Sequence, residues 1–490
     1  MEPAPRFGDE YRAPMAAAAR LAGRWIDEVG DRPIVPRAGV EQVKDALGRR
    51  LPDHGVDATR VVEDLAAAVE PGLMAMQSPR FFGWVIGGTA PAALAADWLV
   101  SAWDQNTALR EVTPGVCAAP AALAADWLVS AWDQNTALRE VTPGVCAAEE
   151  LAGEWACDVL GLPEGTVAGF TTSATTANTV ALAAARHAVL ARAGWDDLRY
   201  GIQGAPRIRV LAGAEHHPSV DVALRYLGLG LPVDVPSDGE GRIRADALEA
   251  QLAGSDGPAI VCLQAGNIHS GASDPFEASV AVAHAAGAWV HVDGAFGLWA
   301  AASPRTRDLV AGVERADSWA TDAHKTLNVP YDAGIVAVAD PAALVAAMAM
   351  HAAYLPSAAS GIDSADRVLE LSRRARGVPT FAALRTLGRD GVAWLVDGLV
   401  EAATALADGL RAMPGVEVLN EVVFTQVSAA FDGRDVGALA AALDVDGVAL
   451  AHPSRWHDRD ILRFSVSNRG TDAAAVEATL AAVRRALAAG

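Results

Sequence analysis

Cysteine is scarce in this chain, with four residues in 490. None falls in a Cys-x-x-Cys pair, so neither a disulfide framework nor a cysteine-built metal site is expected. Basic charge is short as well: 39 Lys and Arg stand against 60 Asp and Glu, a net charge of −21. That balance excludes the electropositive footprint of a protein that binds nucleic acid or an anionic membrane. The acidity serves solubility. Long apolar runs are also missing. The best candidate, 341–354, is Ala-rich, contains His351 and stops before Pro356, and reads as a packed helix, not a membrane span. The opening MEPAPRFGDEYRAPM has no apolar core of a secretory signal. A cytoplasmic protein is therefore expected.

What is present is a globular composition, 52% hydrophobic and 20% charged, long enough for at least two domains. Residues 90–118 and 119–147 are identical. Two undiverged copies are not a solenoid. They point to a recent in-frame duplication or to an artefact of sequence assembly. Each copy predicts a helix from Pro91 or Pro120, a break near Asn106 or Asn135, and a second helix after Thr-Pro-Gly, which in the second copy runs on through Glu149, Glu150 and Trp155. One slot in a packed core holds one copy, so the other is expected at the surface as an extra helix or hairpin. A rearrangement at a subunit interface is the alternative.

The rest of the chain divides by pattern. Residues 1–89 read as an N-terminal arm with short helices. Residues 90–345 alternate apolar strands (208–211, 259–263, 288–293, 334–339) with helices such as 277–286, which predicts an α/β domain around a mostly parallel sheet. Residues 346–490 read as a smaller α+β domain, with helices at 381–387, 392–412 and 473–489 and strands at 416–419, 422–431 and 461–466.

Four stretches carry chemistry. His291-Val-Asp293-Gly-Ala295-Phe ends a strongly apolar strand in a carboxylate, which is costly to bury without a partner. Asp322-Ala-His324-Lys325 supplies an amine, and a buried Lys of depressed pKa forms Schiff bases readily. The two together suit pyridoxal phosphate, with Lys325 for its aldehyde and Asp293 for its ring nitrogen. The bland alternative is a structural salt bridge between Asp293 and Lys325. Ser173-Ala174-Thr175 opens an Ala-rich helix, suited to a phosphate or merely an ordinary helix start. His217-Pro-Ser-Val-Asp221 offers an imidazole to a flat ring, or merely a surface histidine. No metal site is expected, and no Arg clamp stands out for an acidic substrate.

With Pro79-Arg-Phe-Phe-Gly, Thr172-Ser-Ala-Thr-Thr-Ala-Asn178, Gly271-Ala-Ser-Asp-Pro, Pro330-Tyr-Asp-Ala-Gly334 and Ser372-Arg-Arg-Ala-Arg376, these stretches resemble the pyridoxal-phosphate-dependent group II decarboxylases, the family of aromatic-amino-acid, histidine and glutamate decarboxylases. The resemblance implies a fold-type-I enzyme and a homodimer with its active site at the subunit interface. It implies Lys325 as the Schiff-base lysine, Asp293 on the pyridine nitrogen, and Ala295 and His217 on the two ring faces. Ser173, Ala174 and Thr175 would take the phosphate, helped by His324 and Asp322. Trp84, Val85 and Gly87 would lie near the substrate. Pocket residues lent by the partner would map to Asn106 and Ala108 or to Asn135 and Ala137.

Two departures stand out. Counting back from Ser372, Ser364 occupies the place where many relatives carry a loop tyrosine that protonates the product, and Tyr354 is the nearest tyrosine. Gly266-Asn267-Ile268-His269 replaces threonines near the cofactor hydroxyl, leaving Asn267 or His269 to substitute. The expected reaction is decarboxylation of an L-amino acid, with an aromatic or apolar side chain favoured. The alternatives are aldehyde synthesis, carbon–carbon lyase chemistry, or a cofactor-binding protein left inactive by the duplication.

Overall fold

The computed structural model describes residues 9–81, 89–104, 119–254, 257–350 and 361–489. Its centre is a seven-stranded sheet. The strands are β1 (Val167–Thr171), β2 (Arg209–Gly213), β3 (Val233–Val235), β4 (Ala259–Gln264), β5 (Trp289–Asp293), β6 (Ser318–Asp322) and β7 (Gly334–Val338), in the order β1-β7-β6-β5-β4-β2-β3. Only β7 runs against its neighbours. The middle strands are buried along their whole length, which explains continuous apolar runs such as Ala259-Ile-Val-Cys-Leu. Helices cover both faces, as the α/β reading expects.

Fifteen helices surround the two sheets among the described residues. Six precede β1: α1 (Asp9–Glu28), α2 (Val40–Leu47), α3 (Ala58–Val69), α4 (Pro91–Trp103), α5 (Pro120–Trp132) and α6 (Pro143–Val159). Six follow within the large sheet: α7 (Ala174–Arg192), α8 (Asp197–Tyr200), α9 (Pro218–Tyr226), α10 (Ala245–Leu252), α11 (Phe276–Ala285) and α12 (Pro341–Met348). The remaining three are α13 (Gly377–Arg411), α14 (Val436–Asp446) and α15 (Ala473–Ala489). They pack on an antiparallel sheet of β8 (Val416–Val418), β9 (Gln426–Phe431), β10 (His452–Trp456) and β11 (Arg459–Ser465), ordered β10-β11-β9-β8. The two helices expected at 381–387 and 392–412 are one span broken at Gly388, where φ is 64°. A Cβ there would stand 2.6 Å from the His54 backbone, so glycine permits both the break and the close approach. The N-terminal arm holds a 20-residue helix, longer than the short helices expected of it.

The two repeat copies take different places. In α5, eleven of thirteen residues are buried, against α1, α3 and α13. In α4, the same sequence buries only Ser101. The second copy fills the core slot and the first lies over it as an extra helix, as the one-slot argument requires.

Topology gathers the chemical residues at one sheet edge. β1 leads to Ser173 and α7; β2 leads to His217 and α9; β5 ends in Asp293; β6 ends in Asp322. These are carboxyl ends of parallel strands, where open α/β sheets bind ligands. Because β7 is reversed, its first residue, Gly334, pairs with Thr171 on one side and Asp322 on the other. A Cβ on Gly334 would come within 2.6 Å of the Ser173 carbonyl carbon, so only glycine lets the start of α7 lie across that edge.

Candidate active site

Asp293 is buried and held entirely by neutral donors. Its Oδ2 accepts from Asn178 Nδ2 (2.9 Å) and Ser219 Oγ (3.1 Å), and its Oδ1 from Ala295 N (3.2 Å). The network runs deeper. Asn178 Oδ1 meets His291 Nε2 (2.9 Å), His291 Nδ1 meets Ser318 Oγ (3.0 Å), and Trp289 Nε1 donates to that same hydroxyl (2.9 Å). Burial pushes His291 down to about 4, so its ring is neutral at physiological pH. Since Asn178 spends its NH2 on Asp293, its carbonyl must accept, and His291 carries its proton on Nε2. The chain of donors therefore has one direction, and it ends on the carboxylate.

Lys325 belongs to a second cluster. Its Nζ lies 3.0 Å from Asp322 Oδ2, and His324 Nε2 lies 3.5 Å from the same oxygen. Asp322 Oδ1 accepts from Ala174 N (2.6 Å), the first amide of α7. The next amides of that helix have no intrahelical acceptor by geometry, and the Ser173 side chain does not cap them. His324 accepts from Ala333 N through Nδ1 and stacks on Tyr331 at 4.2 Å. The expectation of a depressed lysine pKa is corrected here. Burial is the largest single influence and opposes the ammonium, but the Asp322 carboxylate beside it, together with Asp293 and Tyr331 further off, holds Lys325 above the usual lysine value.

These two clusters remove the bland alternative. Among the described residues, no salt bridge joins Asp293 to Lys325 or to any other cation; Lys325 pairs with Asp322 instead. A buried carboxylate without a cation fits a group that brings a protonated ring nitrogen. The open amides of α7 fit a phosphate. Lys325 is 38% exposed between buried neighbours, so its amine opens onto the cleft. The donor set therefore fits pyridoxal phosphate.

A family model described as the pyridoxal-dependent decarboxylase conserved domain matches residues 116–431. The chain belongs to this family. It is a pyridoxal-phosphate-dependent decarboxylase, a lyase. Tryptophan decarboxylase 1 of Oryza sativa subsp. japonica is 29% identical over 408 residues, covering 78% of this chain and 73% of that protein. Phenylacetaldehyde synthase of Arabidopsis thaliana is 24% identical over 431 residues, covering 82% and 79%. Among solved structures, Oryza sativa TDC with PLP and tryptamine superposes with a TM-score of 0.71 at 23% identity, covering 99% of each chain.

Within this decarboxylase the other expected residues fall as follows. His217 caps α9, with Nδ1 2.8 Å from Ser219 Oγ, the hydroxyl that reaches Asp293. Burial pushes its imidazole below the usual value. Ala295 is half-buried beside Asp293. Thr175 is half-buried at the start of α7. Trp84, Val85, Gly87, Asn106, Ala108 and Tyr354 lie outside the described residues. Within the chain, Asn135 Oδ1 accepts from Arg373 N, and Ala137 O from Ala365 N. Ser364 is buried with its hydroxyl against Cys146 Sγ, so it presents no donor to the cleft here. Asn267 is buried, bonded to Glu215 and to the following backbone, while His269 bonds Ser454 and stacks on Trp456.

Two features were missed in the sequence. Arg463, on β11, carries a charge that, after burial, also disfavours the His217 imidazolium. Its Nε is buried without an acceptor, and burial holds the guanidinium below its usual value. Among the described residues it has no carboxylate partner. The second feature needed only a count. The chain contains two lysines, and Lys44 is tied to Glu150 (2.8 Å) and Glu154 (2.6 Å).

Proposed function

We propose that this enzyme removes the α-carboxylate of an L-amino acid, one with an aromatic or apolar side chain, to give an amine and carbon dioxide. The observation that carries the reading is the separation of Asp293 from Lys325: a carboxylate held by neutral donors and an amine paired elsewhere, both at one sheet edge. Bound pyridoxal phosphate supplies the electron sink for the pair of electrons left when carbon dioxide departs. Lys325 holds the cofactor through its amine, and Asp322 and His324 are placed to take and return that amine's proton. Asp293, polarised through Asn178 and His291, keeps a ring nitrogen protonated. Ala295 and His217 contact the ring, and Ser173, Ala174 and Thr175 bind the phosphate. Trp84, Val85 and Gly87 are assigned to the substrate's side. We read the working form as a cytoplasmic homodimer, and the chain as an arm (1–89), a cofactor domain (90–345) and a small domain (346–490).

Arg463 adds the substrate carboxylate to this reading, since an amino acid brings the anion that the guanidinium lacks. A charged hydrogen bond contributes about 1.5–3 kcal/mol. Arg463→Gln is therefore expected to lower kcat/KM by about 10–100-fold, with Arg463→Lys recovering part of it, measured as carbon dioxide release. An unchanged kcat/KM removes Arg463 from the site.

One observation favours a second outcome of the same chemistry. Ser364 offers no proton donor to the cleft, and one relative named above is an aldehyde synthase. A screen of amino acids for carbon dioxide, with amine and aldehyde quantified together, separates the two. Stoichiometric amine supports decarboxylation alone; aldehyde with peroxide supports the second reading; no carbon dioxide from any amino acid refutes both.

A further inference from the structure

The two copies of the repeat touch each other reciprocally. Trp98 Nε1 donates to Trp127 O, and Trp127 Nε1 donates to Trp98 O, both at 3.1 Å. Their rings stack at 4.7 Å with planes 1° apart. Ser101 Oγ donates to Asp126, and Ser130 Oγ donates to Asp97. Trp98 and Trp127 are the same residue of the repeat, as are Asp97 and Asp126, and Ser101 and Ser130. Each contact thus has a mirror partner, and the register runs antiparallel about the tryptophan stack. Identical elements meeting residue i to j and j to i is the rule of a two-fold, isologous interface between identical chains.

The symmetry stops at the helices. A single Arg374 serves both acidic residues, with Nη2 2.7 Å from Asp126 Oδ1 and Nη1 3.4 Å from Asp97 Oδ2. The first copy also reaches the site. Asp104, the left-handed residue that ends α4, is buried and accepts from Tyr331 N at 2.8 Å, on the loop that follows Lys325.

We propose that the outward face of α5 is a self-association surface whose occupant is an identical helix, and that in this chain the first copy of the repeat fills it from within. The duplication thereby closes inside one subunit a contact that a chain with one copy makes between two, whatever other surfaces join the subunits. In the one-copy chain, Asp133 of a second molecule takes the place of Asp104 beside Tyr331.

Cross-linking decides this. The full chain carrying Cys117→Ser, Ser101→Cys and Asp126→Cys should oxidise to a disulfide within one chain, running as a monomer without reductant. Deletion of 90–118 leaves the junction sequence unchanged, because Ala119 replaces Ala90 after Thr89. Two deletion chains, one with Asp126→Cys and one with Ser130→Cys, should then form a mixed disulfide dimer when combined. If the deletion chain does not fold, Ala96→Pro in the full chain breaks α4 at an exposed position. With Cys117→Ser, the same two single cysteines should link two chains in that background and not without Ala96→Pro. A 101–126 disulfide between chains, no 101–126 disulfide at all, or no mixed dimer from folded deletion chains or from the Ala96→Pro background would overturn the proposal.

Discussion

Lys325→Ala is expected to abolish carbon dioxide release and to leave no residue that borohydride can fix to pyridoxal phosphate. The loss should exceed about 10⁴-fold, the upper range for one acid–base group, because the variant removes both the attachment point and a proton carrier. The expectation is unusually exposed to refutation, since the chain has one other lysine. Lys44 is buried on α2, with its amine paired to both Glu150 and Glu154. Peptide mapping after borohydride treatment should find the cofactor on Lys325 in the parent chain and nowhere in the variant. A label on Lys44, or turnover that survives, refutes the assignment. The raised pKa adds a test of its own. Asp322 holds Lys325 charged, so the amine reacts only after losing a proton. Asp322→Asn removes that hold and should let the cofactor attach at lower pH than in the parent, read from the pH dependence of the bound chromophore. No downward shift would mean that Asp322 does not control the amine.

Strong apolar periodicity made four strands of the large sheet readable, and β2, β4, β5 and β7 lie within two residues of the spans expected from it. β1 and β6 carried no such signal. Their sequences, Val-Ala-Gly-Phe-Thr and Ser-Trp-Ala-Thr-Asp, give up apolar positions to Thr171, Ser318 and Asp322, and each of those polar groups bonds within the site or beside it. A strand that builds a polar site looks least like a buried strand. Asp293 and Lys325 were legible because their types are rare in such contexts. Their partners were not, because pairing of Lys325 with Asp322 rather than Asp293 depends on where β6 ends beside β5 and α7. Arg463 was hidden for a related reason: an arginine in a strand of mixed pattern reads as surface, and its half-buried place on β11, between β10 and β9, is set by the fold of the small sheet. The repeat was obvious, yet which copy entered the core followed from connection to α6, not from sequence, since the two are identical.

Arg373→Ala is expected to cost about 3–5 kcal/mol of stability, the usual result of stranding one partner of a buried ion pair. Arg373 and Glu149 are both buried and meet twice, Nη1 to Oε1 at 2.9 Å and Nη2 to Oε2 at 2.8 Å. Glu149 also accepts from Gly377 N (2.8 Å), the first residue of α13. The pair thus ties α6, which continues from the second repeat copy, to the start of α13, which packs on both α5 and α6. Its neighbours extend the tie: Arg374 holds Asp126 on α5, and Arg376 bonds Asp332 (2.6 Å) on the loop after Lys325. Removing Arg373 leaves the Glu149 carboxylate buried with one backbone donor, and that desolvated charge is the source of the loss. The double variant Arg373→Met, Glu149→Leu removes both charges together and should regain most of the stability. Urea unfolding of the three proteins, followed by helical circular dichroism, separates the explanations. A low midpoint for the single variant and a near-parental one for the double assigns the cost to the stranded charge. If the double variant is as weak as the single one, the guanidinium acts by its packing against α6 instead, and the ion pair is incidental to the fold.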